Sequence, residues 1–465
     1  MRQYYVKYVL WTLFVWLAAA GCNAPKAELE RFNQKFEAGW LHGGAVVEES
    51  LSYAASKVKQ RDKPAGEDLL WSLQAGSLER MGGDYAASNK YFDASEEILN
   101  YFDHQNELAD SAFAVVSSDN MVPYLGEEYD GTMVNTYKAL NFIALGKDEL
   151  ARVEFNRALD RQRRAKETFA REIAKVREEI KSEGRQEVKR SVENPKVQQI
   201  IEQKYPGLRA FEAYPDFVNP FTTYIAGVYF GLVGDYSKAA PLLKEAYGMA
   251  GENKYIREDL AAFEAAADGV CELKDTVWVI FENGMGPVKD EFRVDLPVFL
   301  ATSKVKYVGI ALPRLRMREG AYRYLVVEAG RNSYKTEVAG SIDRVVQTEF
   351  KKDFEGILAR AIVSAAAKAA AQYALEEEGS EFSQLASIGM GIYSLASTAA
   401  DVRIWTMLPK EFQVARFSMP ADRRVRIMPC GGEAFEIEIS PCTNALIYVR
   451  IPFSGGEAVY DVMGY

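Results

Sequence analysis

Histidine is scarce in this chain: 465 residues include only two, His42 and His104, and neither lies in the second half. General acid–base catalysis near neutral pH most often uses histidine, so here it would depend on carboxylates or lysines. Many carboxylates are present, but no spacing among them selects a pair. The Gly-x-Ser-x-Gly elbow of hydrolases and the His-Glu-x-x-His pair of zinc proteases are also missing. The sequence therefore predicts a protein without catalytic residues.

Long apolar runs and a surplus of positive charge are lacking as well. No stretch of eighteen apolar residues follows Ala20, so the sequence predicts no membrane-spanning helix there. The chain has 56 basic and 66 acidic side chains, a net charge of −10. This acidic balance argues against nucleic acid as a partner. A hydrophobic fraction of 48% indicates folded domains with cores.

Cysteine occurs four times, and one of the four, Cys22, is assigned below to lipid attachment. Cys430 and Cys442 flank a predicted strand, and an oxidising compartment would allow a disulfide between them; two separate buried thiols are the alternative. No second metal ligand lies close to either, so the sequence predicts no metal site. The glycine-rich stretch 284–288 favours a turn over a phosphate loop because its proline removes an amide donor. No cofactor is predicted.

The first residues have the organisation of a bacterial signal sequence. Arg2 and Lys7 form a positively charged start, and residues 8–20 form an apolar segment too short to span a bilayer. The sequence therefore predicts that residues 1–21 are a signal peptide that is removed. The next residues decide between a lipoprotein signal and an ordinary secretory signal followed by a chance cysteine.

This segment ends in small residues followed by a cysteine: Ala19, Ala20, Gly21 and Cys22. A lipoprotein peptidase requires small side chains before the cut and a thiol after it, because the sulfur carries the lipid. We expect acyl chains on Cys22 and a tether at 22–30. Asn23 is not the aspartate that retains such proteins at the inner membrane of enteric bacteria. The prediction is an outer-membrane lipid anchor on the periplasmic face, with the inner membrane as the alternative.

Residues 31–268 contain three segments in which small and large residues follow the spacing of paired helices. Each has a glycine at its turn, small residues where the helices approach closely and a large residue beside them. The residues are Gly76, Gly83 and Phe92, then Gly146, Ala151, Phe155 and Ala158, then Gly227, Gly234, Ala239, Leu243 and Ala246. The segments resemble tetratricopeptide repeats. A long charged helical hairpin is predicted as an insertion at about 160–204.

From residue 269 to residue 465 the apolar residues occur in short runs rich in β-branched and aromatic side chains. Nine runs predict strands: 276–281, 291–296, 305–311, 322–328, 334–338, 411–417, 424–428, 434–439 and 445–451. Alanine-rich sequence predicts a helical hairpin inserted at about 341–400. The predicted fold class is α+β multidomain, with helical repeats first and a β-sandwich-like domain at 269–465.

Several features together resemble an uncharacterised lipoprotein family of Gram-negative bacteria. They are the lipid-attachment signal, the helical repeats, the turn at 283–289, Leu312 with Pro313, and the run 401–409 that leads into 413–416. The resemblance implies an envelope role without known catalytic residues. It also implies partners near the peptidoglycan synthesis machinery, because the family's genes tend to lie beside those of small lipoproteins that resemble activators of peptidoglycan synthases.

Within residues 401–416, four side chains have expected structural roles. We expect Trp405 and Pro409 to anchor the return of the chain from the helical insertion. Arg403 and Arg416 are expected to pair with acidic residues of the strands. These are roles in the core and in strand register, not in catalysis.

The leading hypothesis is a non-catalytic envelope lipoprotein that acts as an adaptor, with acyl chains as the tether and the helical repeats as a concave protein-binding surface. An apolar groove along Trp71, Tyr137 and Tyr224 would favour it. The alternative is a peptidoglycan- or carbohydrate-binding lipoprotein. In that case the C-terminal domain would hold glycan through exposed aromatic residues such as Trp278 or Tyr322.

Overall fold

The computed structural model describes most of the chain. The described residues are 24–42, 45–59, 65–108, 124–181, 186–214, 218–270, 273–299, 305–377 and 399–465. The predicted signal peptide, Cys22 and Cys271 lie outside these ranges. So does most of the second arm of the helical insertion predicted to end at residue 400.

The first part of the described chain is helical, as predicted. The helices are α1 (Ala24–His42), α2 (Val46–Lys57), α3 (Gly66–Met81), α4 (Tyr85–Leu108), α5 (Glu128–Ala144), α6 (Asp148–Lys181), α7 (Gln186–Val192), α8 (Pro195–Lys204), α9 (Pro220–Leu232), α10 (Tyr236–Ala250) and α11 (Lys254–Ala267). Asparagine caps explain three of the starts. Asn194, Asn219 and Asn253 accept hydrogen bonds from the first backbone amides of α8, α9 and α11.

Residues 24–30, which the sequence analysis assigned to a tether, form the first turns of α1 instead. The helix packs against the body of the protein, because Leu29, Phe32 and Phe36 are each less than 5% exposed. Burial of these side chains removes apolar surface from water and holds the helix in place. The predicted tether at 22–30 is therefore wrong for residues 24–30.

The charged insertion predicted at about 160–204 differs from a simple hairpin. Its first arm is the end of α6, but the return consists of two short helices, α7 and α8, in place of one. Pro195 begins α8. Proline fits the first turn of a helix but lacks the amide that a continuous helix would need, so the return arm breaks there.

The second part consists of strands with one long helix. The elements are β1 (Thr276–Asn283), β2 (Val288–Phe299), β3 (Val305–Arg316), β4 (Leu325–Ala329), β5 (Asn332–Lys335), β6 (Glu337–Ser341), α12 (Ile342–Glu377), β7 (Glu411–Ser418), β8 (Arg424–Pro429), β9 (Phe435–Glu438), β10 (Ala445–Ile451) and β11 (Val459–Gly464). The order of the chain, helices first and strands afterwards, confirms the mixed composition that the sequence predicts.

The described strands form three sheets. The largest has the order β11-β10-β1-β7-β6, while β2 pairs with β3 and the third sheet has the order β5-β4-β8-β9. In the largest sheet β1 is buried along its whole length and pairs in parallel with β10 and antiparallel with β7. A parallel central pair distinguishes this sheet from the antiparallel sheets of the predicted β-sandwich.

The helices and the sheets share one hydrophobic core. Phe221 of α9 stacks on Phe412 of β7 with 3.6 Å between the ring centroids. Asp259 of α11 accepts a hydrogen bond from Trp278 of β1 at 2.9 Å and lies 2.8 Å from the guanidinium of Arg416 in β7. The boundary at residue 268 thus separates helices from strands but does not separate two cores.

Candidate functional site

Each predicted repeat segment is a pair of helices in close contact. A side chain at Gly76 would place its Cβ 2.6 Å from the ring of Phe92, and one at Gly227 would meet Leu243 at 2.9 Å. Only glycine allows these approaches. The other predicted packing residues, Ala151, Phe155, Ala158, Ala239 and Ala246, are all fully buried.

The turns between the paired helices require glycine for a different reason. Gly83, Gly146 and Gly234 have φ angles of 83°, 65° and 79°. No heavy atom lies within 4 Å of where a Cβ would stand at any of the three. The requirement is therefore conformational, because residues with a Cβ rarely adopt a positive φ.

The face of α3, α4 and α5 that is turned toward the sheets is covered by residues 402–409 of the same chain, named here the inserted segment. All of these residues are buried. The ring of Trp405 lies 5.7 Å from that of Phe92 and 5.9 Å from that of Tyr137. Its indole nitrogen donates a hydrogen bond to the hydroxyl of Ser77 at 2.9 Å. The helices thus hold the tryptophan in an aromatic pocket with one polar contact.

Gln74 of α3 fixes the backbone of the inserted segment. Its side-chain nitrogen donates to the carbonyl of Ile404 at 3.5 Å and to the hydroxyl of Thr406 at 3.1 Å. Its side-chain oxygen accepts from the amide of Met407 at 3.1 Å. A buried irregular segment needs partners for its backbone groups, and here a helical side chain supplies them. These bonds set the register of the segment on the helices.

The apolar groove along Trp71, Tyr137 and Tyr224 that would favour the adaptor hypothesis is not present as an open surface. The three side chains are 8%, 2% and 0% exposed. Trp71 packs edge-on against Phe32 of α1 at 5.5 Å, and Tyr224 donates a hydrogen bond to Asp259 at 2.8 Å. The chain's own elements occupy the surface that a partner would need for this groove.

A buried ion pair lies between β1 and β10, next to the inserted segment. Glu282 and Arg450 are register partners, and Arg450 Nη1 lies 2.8 Å from Glu282 Oε2. Their side chains are 7% and 5% exposed. The hydroxyl of Tyr448 donates to the other oxygen of Glu282. Arg450 also donates to the carbonyl of Met407 at 3.2 Å, so the pair connects the sheet to the inserted segment.

Arg80 of α3 extends this network into the helices. Its guanidinium lies 4.6 Å from the ring centroid of Tyr448 and 5.2 Å from that of Tyr137. It donates to the side-chain oxygen of Asn141 at 2.5 Å. Burial raises the pKa of both tyrosines well above the ordinary value, so their hydroxyls stay protonated. The network thus combines the buried charges of Arg80, Glu282 and Arg450 with protonated tyrosine hydroxyls that can donate hydrogen bonds.

A cluster of carboxyl groups lies at the start of α5. Asp130 accepts hydrogen bonds from the hydroxyl of Tyr124 at 2.6 Å and from the amide of Glu127 at 3.0 Å. Lys289 of β2 pairs with Glu127 at 2.5 Å. Burial raises the pKa of Asp130 to about 7 and that of Glu349 in α12 well above its usual range. Because these carboxyl groups have a higher pKa in the folded state than in the unfolded state, the free energy of unfolding depends on pH.

Replacing Asp130 with asparagine is expected to flatten that dependence. Below about pH 4 the carboxyl is protonated in the folded and the unfolded state. Between about pH 4 and pH 7 only the folded state keeps the proton, so the free energy of unfolding falls as pH rises, by an amount on the order of 3 kcal/mol. D130N should therefore gain stability relative to the wild type between pH 4 and pH 8, measured by urea denaturation.

The matched control is Asp160, an exposed carboxylate on α6. A hydrogen bond from Arg163 holds the pKa of Asp160 below its ordinary value. D160N should show no gain in stability as pH rises. Parallel profiles for D130N and the wild type would contradict the assignment of the pH dependence to Asp130.

The sequence leaves open a disulfide between Cys430 and Cys442 or two buried thiols; in the structure both are free thiols, and neither is fully buried. Cys430 follows β8 in the sheet β5-β4-β8-β9 and is exposed. Cys442 precedes β10 and lies under Gly464 of β11, where an added Cβ would come within 3.0 Å of it. The two residues are close in sequence but flank strands of different sheets.

Of the two aromatic residues named for glycan binding, one is not exposed. Trp278 is fully buried and donates its indole hydrogen to Asp259. Tyr322 is half-buried, and its hydroxyl accepts a hydrogen bond from the amide of Gly455 at 2.9 Å. The alternative hypothesis therefore loses Trp278, whereas Tyr322 stays partly exposed.

Within the described ranges, no group of three histidine, cysteine, aspartate or glutamate side chains is placed to hold a metal ion. No helix among the same residues is long and apolar enough to cross a membrane. Comparison of the chain with protein-family models, curated proteins and solved structures gives no match.

Sequence reasoning missed the polar residues that join the two parts, above all Gln74, Arg80, Glu282 and Arg450. A signal for two of them was present. Glu282 and Arg450 each interrupt an apolar run that forms a buried strand. Charged residues are almost never fully buried unless they are paired, so two opposite charges in such runs indicate an ion pair.

Proposed function

We propose that the protein is a non-catalytic envelope lipoprotein, anchored by acyl chains on Cys22 to the periplasmic face of the outer membrane, that acts as a scaffold for other envelope proteins. The observation that carries the proposal is the signal sequence, with Ala19, Ala20 and Gly21 directly before the cysteine. Acyl chains on one residue supply membrane affinity without a spanning helix.

The start of α1 supports a close and oriented attachment. Only Asn23 separates Cys22 from the first residue of α1, Ala24. Two residues of extended chain span at most about 7 Å. Because Leu29 and Phe32 pack α1 into the core, the anchor holds the folded body next to the membrane surface. A body held in this way presents a defined face to its partners.

The helical pairs support the scaffold role, and we take them as tetratricopeptide-like. The inserted segment covers the inner face of α3, α4 and α5, and α9 packs on β7, so the partner surface lies on another face. Leu150 and Val153, on the first turns of α6, are 46% and 42% exposed. These two side chains lie about one turn apart on the helix and form the apolar part of the proposed partner surface. The proposed partners are envelope proteins, including those of peptidoglycan synthesis.

Replacing Cys22 with alanine is expected to abolish incorporation of labelled palmitate and to release the protein from the outer-membrane fraction. The thiol is the acyl acceptor, so no other residue can substitute for it. Crosslinks from the protein to envelope proteins in intact cells should fall with the loss of the anchor. Fractionation, labelling and mass spectrometry of the crosslinked material measure the three effects.

Cys430→Ala is the matched control, because it removes an exposed thiol that carries no lipid. It should leave labelling and fractionation unchanged. Recovery of C22A in the same membrane fraction as the wild type would overturn the anchor. Recovery of peptidoglycan alone from the crosslinked wild type would overturn the scaffold role.

A further inference from the structure

A cleft of about 450 Å³ lies where β6 meets α12, beside the end of the inserted segment. One side is formed by Glu212 and Tyr214, in the irregular stretch after α8, and by Ala250, the last residue of α10. The other side is formed by β6, the first turns of α12 and the start of β7. This volume lies within the range of small-molecule sites, which occur preferentially where two structural units meet.

Two acceptor atoms in the wall of the cleft have no hydrogen-bond donor among the described residues. They are Asp343 Oδ1 and Gln347 Oε1. The two residues are one turn apart on α12, so their side chains lie on the same face of the helix. They are 6% and 9% exposed. Buried acceptors normally have donors, and a bound water or a ligand in the cleft would supply them here.

The cations in the cleft wall are already engaged. Lys410 donates to the other oxygen of Asp343 and to the carbonyl of Arg318 at 2.9 Å. Arg344 donates to the carbonyl of Glu212 at 2.6 Å, and its guanidinium lies 4.0 Å from the ring centroid of Tyr214. An anionic ligand would have to break these contacts, whereas a cationic ligand would not.

Charge and shape point to the same class of ligand. The wall contains the acidic residues Glu212, Asp343 and Glu411 against two basic ones, an excess of negative charge. Burial raises the pKa of Asp343 to about 6. This value is still below neutral pH, so the carboxylate is mostly charged at pH 7. Val338, 41% exposed at a bulge in β6, and Met317 add apolar surface to the same wall.

We propose that this cleft binds a small organic cation, a primary ammonium group on a short alkyl chain, with the ammonium donating hydrogen bonds to Asp343 and Gln347. Val338 and Met317 contact the alkyl chain. The site is independent of the lipid anchor and of the scaffold role, and it goes beyond both.

The test is calorimetric titration of the full chain in detergent with 1,5-diaminopentane and, separately, with 1,5-pentanediol. The two probes share a carbon chain and differ in their donor groups. The diamine should bind at least about tenfold more tightly than the diol. N-acetyl-lysine amide, used as a third probe, distinguishes a free amine from a lysine side chain of a polymer. Tighter binding of the diamine supports a site for a free amine, and tighter binding of N-acetyl-lysine amide supports a site for a lysine side chain.

Gln347→Leu should weaken binding of the diamine by about tenfold or more, and it keeps the ion pair between Asp343 and Lys410. Asp343→Asn tests the carboxylate directly, with folding checked by circular dichroism. Glu355→Gln, on an exposed position of the same helix, should leave the affinity within about twofold. Equal binding of diol and diamine, no binding of the diamine at millimolar concentration, or unchanged affinity in Q347L would overturn the proposal.

Discussion

Replacing Trp405 with alanine is expected to lower the free energy of unfolding by about 3 to 5 kcal/mol. The side chain is 1% exposed, contacts the rings of Phe92 and Tyr137, and donates to Ser77. Truncation removes these contacts, leaves a cavity between helices and sheets, and leaves the hydroxyl of Ser77 without this donor. Urea denaturation followed by circular dichroism measures the loss.

Two further variants show whether the loss comes from the pocket. Trp405→Phe keeps an aromatic ring and should lose less stability than the alanine variant. Tyr460→Ala removes an aromatic side chain that is 47% exposed and should cost about 1 kcal/mol or less. If W405A costs no more than Y460A, the inserted segment does not join the two parts of the molecule.

The strands of the central sheet could be predicted because they are buried. β1, β7 and β10 begin at Thr276, Glu411 and Ala445, the positions at which the predicted runs begin. A strand that is covered on both faces has an almost continuous apolar sequence, which is a strong local signal. Burial along the whole of β1 and β10 agrees with this.

Tertiary contacts explain where the predicted strands are wrong. The run predicted at 334–338 is divided at Thr336, whose amide donates to the carbonyl of Leu325 and whose hydroxyl accepts from the amide of the same residue. The final strand, β11, was not predicted. It pairs only with β10, at the edge of the sheet, and three of its six residues are half-buried, so its apolar pattern is weak.

The partners of Arg403 and Arg416 also depend on tertiary contacts that the sequence does not reveal. Trp405 and Pro409 are buried, as expected from the sequence. Arg416 was expected to pair with an acidic strand residue, but its partner is Asp259 of a helix far away in the chain. Arg403 pairs with Asp401, its neighbour but one. Neither partner could be selected from spacing, because many acidic residues are available and only the packing of helices on sheets decides among them.

Replacing Glu282 with alanine is expected to cost about 3 to 5 kcal/mol. The substitution leaves Arg450 with a buried charge, still contacting Met407 but without its carboxylate, and it removes the acceptor of Tyr448. Desolvation of an uncompensated charge is what makes the loss large. The double variant E282A/R450M should lose less than the sum of the two single variants, because it removes both charges together.

The matched control is the pair formed by Glu328 of β4 and Arg426 of β8, which also lies across two neighbouring strands. Its oxygen and nitrogen are 3.0 Å apart, almost the 2.8 Å of the buried pair, but its side chains are 42% and 47% exposed. Water already solvates these charges, so E328A should cost between about 0 and 1 kcal/mol. Urea denaturation of all the variants at one pH compares the two pairs directly. Equal losses for E282A and E328A would mean that water reaches Arg450, and the buried network would then contribute no more than a surface ion pair.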